Sequence, residues 1–163
     1  MPSDTLTTLA TLVGAKLRAK GMMLATAESC TGGWVAQAAT AIAGSSEWFE
    51  RGFVTYSDAA KQEMLGVSAR TLAANGAVSE QTAREMAAGA LVHSRAQVAV
   101  AITGIAGPTG GSPEKPQGTV CFAWALEGGV VSTVTRRFDG DRDSVRRQSV
   151  IAALQGALEM LET

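Results

Sequence analysis

Six consecutive residues, Glu28-Ser29-Cys30-Thr31-Gly32-Gly33, place a carboxylate, two hydroxyls and a thiol beside two glycines. They follow a short apolar run, Met22 to Ala27, and precede a helical pattern from Trp34 to Ile42. Strand, glycine-bearing turn and helix start together aim backbone N–H groups and a positive helix end at one spot, which suits an anion. Ser29, Cys30 and Thr31 bring more polar chemistry than a turn alone requires. The segment matches neither a Walker A loop nor a Gly-x-Gly-x-x-Gly fingerprint, so no nucleotide fold follows from it.

A helix start lowers a thiol pKa, which makes Cys30 a candidate nucleophile. The usual partner is histidine, and the only one is His93, late in a different helical pattern. A Cys30–Glu28–Lys61 arrangement is the formal alternative. Cysteine is also a common buried small residue, and that is the favoured reading of Cys30. Without a useful histidine, hydrolysis needs another base. Lysine can serve once burial or a nearby cation brings its pKa from about 10.4 toward neutrality. Gly44 to Lys61 offers such parts: Ser45 and Ser46 in a turn, Tyr56 ending a strand, Lys61 on the next helix. On spacing alone, a surface lysine and a half-buried tyrosine are the better explanation.

Arg136, Arg137, Arg142, Arg146 and Arg147 gather positive charge near the C-terminal helix, but Asp141 and Asp143 interrupt it. Such a run is usually a solvated face; one or two of its arginines reaching a phosphate is the minority reading. Asp139 to Asp143 resembles a calcium loop only faintly, since Ser144 and Val150 stand where glycine and glutamate belong. No histidine or cysteine cluster supports zinc, so no metal is expected.

These residues need elements to hold them. Leu6, Leu9, Leu12, Val13 and Leu17 recur at helical spacing, with Ser3 or Asp4 as cap and Gly21 as stop. Arg51 to Tyr56 reads as a strand. Ser57 or Asp58 caps a helix through Met64, Ser68 to Asn75 forms another, and Ser79 caps a longer one to about Arg95. Gln97 to Thr103 is the clearest buried strand. The glycine- and proline-rich stretch from Gly104 to Gly118 is long enough to suggest function. Thr119 to Leu126 and Val130 to Phe138 alternate around Glu127-Gly128-Gly129 as a hairpin, and Asp141 to about Leu161 is a closing helix.

The whole composition agrees. With 163 residues, 46% of them apolar but only three Trp, four Phe and one Tyr, the core is mostly aliphatic. That suits helices on a sheet, in one domain over residues 1–163. A net charge of -1 argues against bulk attraction to nucleic acid or anionic lipid. The start lacks a secretory pattern, no run of about 18 apolar residues exists, and two distant cysteines fit a reducing compartment. A cytoplasmic protein is expected.

Five segments in order carry a family resemblance: Thr26 to Gly33, Gly44 to Ser57, Gly76 to Glu80, Thr103 to Pro108 with Gly110-Gly111, and Gly140 to Arg146. Together they resemble the CinA C-terminal domain family, in its stand-alone nicotinamide-nucleotide amidase branch. The resemblance implies a three-layer α/β/α fold with a mixed, mostly parallel sheet of about five strands. It also implies hydrolysis of the carboxamide of nicotinamide mononucleotide to nicotinic acid mononucleotide and ammonia, no cofactor, and a homodimer. The family's catalytic serine, tyrosine and lysine fall on Ser46, Tyr56 and Lys61, which implies that Ser46 attacks the carboxamide carbon, Lys61 takes its proton, and Tyr56 orients Lys61 or passes the proton to ammonia. Substrate binding is expected from Glu28, Ser29, Cys30, Thr31, Gly32 and Gly33, from Thr103, Gly104 and Gly107, and from Arg142. Backbone N–H groups from Gly104 to Gly107 are candidates for an oxyanion hole. Whether Ser29, Cys30 or Ser46 is the nucleophile, and which loop takes the phosphate, stays open. The rival readings are a non-catalytic binder of phosphorylated metabolites and a competence- or DNA-damage-associated module. Ammonia release and salt-dependent DNA affinity distinguish them.

Overall fold

The computed structural model describes residues 2–162, with side chains from residue 5 onward. Helix α1 (Pro2–Lys20) leads to β1 (Leu24–Glu28), α2 (Trp34–Thr40), a 3-10 turn (Ser45–Glu47) and β2 (Phe49–Val54). Helices α3 (Asp58–Leu65), α4 (Ala69–Asn75) and α5 (Glu80–Val92) follow, then β3 (Val98–Gly104), β4 (Thr119–Leu126), β5 (Val131–Arg137) and α6 (Arg142–Leu161). The starts of four helices are set by side chains. Ser57, Ser68, Ser79 and Asp141 accept from the backbone N–H groups of Ala60, Thr71, Thr82 and Ser144, each satisfying a donor the helix cannot. The cap expected at Ser3 or Asp4 concerns side chains outside the described residues.

The five strands form one mixed sheet in the order β2-β1-β3-β4-β5. β1 pairs in parallel with β2 and β3, while β3–β4 and β4–β5 are antiparallel. Four strands therefore run one way and β4 opposes them, so the pairings divide evenly although the directions do not. The expected strand Arg51–Tyr56 is displaced. It starts at Phe49 and ends at Val54, because Thr55 N–H makes the last cross-strand bond, to Glu28 O at 2.8 Å, and Ser57 is already the cap of α3.

Alternation along the strands sorts the two faces. Leu24, Val98, Val100, Ile102, Val120, Phe122 and Trp124 face α1, α2 and α6 in one core. Ala25, Ala27, Ala99, Ala101, Cys121, Ala123 and Ala125 face α5 in the other. The small residues let α5 lie close to the sheet. Its Gly89 is packed so tightly that an added Cβ would sit 1.9 Å from the carbonyl oxygen of Leu65, at the end of α3. No helix among the described residues is long and apolar enough to cross a membrane.

Candidate active site

The two-residue period of β1 gives consecutive residues opposite tasks. Glu28 points toward α2 and is fully buried. Its Oε1 accepts from Thr31 Oγ1 at 2.5 Å, Gly33 N at 3.1 Å and Val35 N at 3.0 Å, and its Oε2 from Ala36 N at 3.0 Å. The first N–H groups of α2 are thus already occupied. The expectation that this helix start cradles an anion meets a physical obstacle: a built-in carboxylate sits there. Thr31 is likewise buried on Glu28, and Gly32 and Gly33 close the turn in left-handed conformation, φ 59° and 101°. These four residues shape the loop and do not line the cavity beside it.

Ser29 points the other way, toward α3. Lys61 Nζ donates to Ser29 Oγ at 3.1 Å, to Thr55 O at 2.9 Å and to Tyr56 O at 3.4 Å. Lys61 is 1% exposed. Burial lowers its pKa from the ordinary lysine value, against weaker opposing effects of Asp58 and Cys30. All three partners are neutral oxygens, so no carboxylate contact holds the ammonium form in place. A neutral amine here can take the Ser29 proton along a contact that already exists.

Ser29, Cys30, Tyr56, Lys61, Ala77, Val78, Thr103, Gly104, Ala106 and Arg142 surround one cavity of about 240 Å³. It lies beyond the C-terminal ends of the adjacent strands β1 and β3, from which the chain goes on to β2 on one side of the sheet and to β4 on the other; open α/β sheets bind ligands where the strand order diverges in this way. Thr103 Oγ1 donates to Ala77 O at 2.8 Å, tying β3 to the approach of α5. Tyr56 is 64% exposed, and its hydroxyl accepts from Arg142 Nη2 at 3.2 Å rather than touching Lys61. Arg142 Nη1 also donates to Gly107 O at 2.7 Å, so Gly107 stands behind the lining. The N–H of Ile105 is bound to Thr119 O. Among the described residues, those of Ala106 and Gly107 make no hydrogen bond within the chain.

Of the other candidate nucleophiles, Cys30 lines the cavity but is chemically unsuited, and Ser46 stands apart from it. Cys30 is 5% exposed, and burial pushes its thiol up to about 12, so its thiolate is negligible near neutral pH. Ser46 lies in the 3-10 turn that precedes β2, at the opposite end of that strand from Thr55. Six strand residues at about 3.3 Å each put roughly 20 Å between Ser46 and the Lys61 amine. Its segment instead anchors the fold: Trp48 is buried on Gly14, where an added Cβ would meet the indole at 2.5 Å. The span Gly104 to Gly107 expected to supply oxyanion N–H groups includes Ala106, whose N–H is free, whereas sequence reasoning passed over Val78 in the lining and the Thr55 carbonyl that holds Lys61. Neither has a signal in its residue type.

A buried serine–lysine pair at the C-terminal rim of a mixed α/β sheet defines the class of site. The chain belongs to the CinA C-terminal domain family, whose model matches residues 6–161. It is 58% identical over 155 residues to the nicotinamide-nucleotide amidohydrolase PncC of Escherichia coli K12, covering 95% of this chain and 94% of that one. The protein of the same name from Pseudomonas putida is 52% identical over 157 residues, covering 96% and 98%. Among solved structures, the competence/damage inducible protein CihA of Agrobacterium tumefaciens superposes with a TM-score of 0.93 at 49% identity, covering 98% of this chain and 96% of that one.

Proposed function

We propose that this protein is a nicotinamide-nucleotide amidohydrolase in which Ser29 is the nucleophile and Lys61 its base. The observation that carries the mechanism is the 3.1 Å contact between a buried lysine of lowered pKa and a serine on the cavity wall. The substrate class rests on the names of the relatives at 58% and 52% identity. One cation at the mouth, Arg142, with no carboxylate among the lining residues, suits a substrate bearing one phosphate.

In this reading Ser29 Oγ attacks the carboxamide carbon while Lys61 Nζ takes the hydroxyl proton. The oxyanion is met by the free N–H group of Ala106, which lines the cavity. As the C–N bond breaks, the Lys61 ammonium returns its proton to the departing nitrogen, which leaves as ammonia. Water then attacks the Ser29 ester with Lys61 again taking a proton, and that proton returns to Ser29 as the nicotinic acid nucleotide departs. Tyr56 and Arg142 act at the mouth, on the nucleotide's far end. The cycle closes on the chain's own groups.

The test is release of ammonia from nicotinamide mononucleotide by wild type and by S29A, S46A and K61A. S29A and K61A are expected to lose at least about 10³-fold in kcat, in keeping with losing a nucleophile or its base, and S46A to stay near wild type. A dead S46A with active S29A overturns the assignment, and no ammonia from wild type favours a metabolite-binding module. The family resemblance further implies a cytoplasmic homodimer built from one domain per chain. Fractionation, light scattering and a single cooperative unfolding transition test those points.

A further inference from the structure

Helix α6 starts at the edge of the cavity and sends two arginines, one turn apart, to different loops. Arg142 holds the loop after β3 through Gly107 O. Arg146 holds the loop after β1: its Nε donates to Cys30 O at 3.0 Å and its Nη2 to Thr31 O at 3.2 Å. Its guanidinium carbon also lies 5.5 Å from the centre of the Trp34 ring, at the first residue of α2. Arg146 does not line the cavity.

We propose that Arg146 is a positioning residue for the reaction, fixing the Ser29 hydroxyl against Lys61; the inference rests on the Ser29–Lys61 assignment above. On its N-terminal side Ser29 is held by the sheet, with its N–H donating to Ile102 O at 2.9 Å. On its C-terminal side the ladder has ended. Ser29 O is held by Gly32 N–H at 3.0 Å, Cys30 O by Arg146, and Thr31 O by Arg146 together with Trp34 N–H at 3.0 Å. Because peptide groups are planar, holding Cys30 O and Thr31 O holds the second and third peptide planes after the nucleophile, behind the one that Gly32 holds. A loop shift of about 1 Å carries the 3.1 Å Lys61–Ser29 contact out of hydrogen-bond range, and misplacement on that scale costs on the order of 10²-fold in rate. The planar fork spans two carbonyls at once and also lies over an indole, which a lysine ammonium cannot reproduce. With Arg142 on the same helix face, α6 sets the nucleophile loop and the loop carrying the free N–H groups in one register.

The experiment compares S29A, R146A and R146K with wild type for kcat and KM toward nicotinamide mononucleotide, each checked by thermal unfolding. R146A is expected to lose about 30- to 100-fold in kcat with KM within about threefold, and R146K to recover only part of it. Guanidinium ion at low millimolar concentration is expected to restore kcat in R146A, a readout that general loosening does not give. Labelling of Ser29 by a fluorophosphonate should slow in parallel with kcat. Wild-type kcat in R146A, or in R146K should R146A not fold, overturns the proposal, as does a loss carried by KM. An active S29A removes the underlying assignment instead, and a dead S29A beside a normal R146A removes this inference alone.

Discussion

Lys61 and Glu28 are both buried ionisable residues, and their partners give them different work. Lys61 contacts only neutral oxygens and has a lowered pKa. If its neutral form is the base, kcat/KM rises as pH climbs through that lowered value and is lost as pH falls below it. The acid limb should have unit slope and a midpoint below the ordinary 10.5 of lysine. A pH-rate profile checks this; kcat/KM that instead falls as pH rises through the neutral range is the adverse result. Glu28 accepts four bonds as the cap of α2. E28Q turns one acceptor into a donor facing an N–H, at a cost of about 2–3 kcal/mol. For a chain of this size that lowers Tm by roughly 4–12 °C, measured by thermal denaturation. Cys30 is expected to be dispensable: with its thiol pushed up to about 12, C30A should keep kcat within about threefold, and an ammonia assay decides it.

At the scale of elements, β1 carries Ser29, the proposed nucleophile, and α3 carries Lys61, its proposed base, so their separation depends on how α3 is seated. That seat is α5. Gly89 admits the Leu65 carbonyl where any Cβ would collide at 1.9 Å. G89A must push the end of α3 away from α5, and a loss of about 1–3 kcal/mol is expected from overpacking alone. Activity at temperatures below the transition should fall too, since Lys61 rides on the displaced helix. An undiminished kcat in a destabilised G89A would separate the seating of α3 from catalysis. The same logic explains Ser46. Its segment matches the family as closely as the loop at Ser29, yet the end of β2 it occupies is the one away from Lys61.

For the molecule as a whole, the cavity is small, and with Lys61 acting as a neutral base its lining cation is Arg142. An amide substrate lacking the phosphate should therefore show a lower kcat/KM than the mononucleotide, and the gap should narrow at high salt as screening weakens the attraction. Parallel assays on nicotinamide riboside and the mononucleotide at two ionic strengths measure it. Much of this architecture is written locally. Ser57, Ser68, Ser79 and Asp141 begin their helices and Gly66 ends α3 because capping involves only neighbouring residues. The buried strand near Gln97–Thr103 and the glycine-bracketed hairpin are legible for the same reason. The sequence also marks Ser29, Cys30, Ser46, Tyr56, Lys61 and Arg142 as chemistry-bearing residues, without ranking them. Ranking needed tertiary structure, because it depends on distances between residues far apart in the chain: 32 positions separate Lys61 from Ser29, and 116 separate Arg146 from Cys30. The loop Glu28 to Gly33 shows the division most clearly. Its composition signals a polar strand-to-helix turn; only the alternation of β1 between two packed layers turns Glu28 inward to cap α2 and Ser29 outward to meet Lys61.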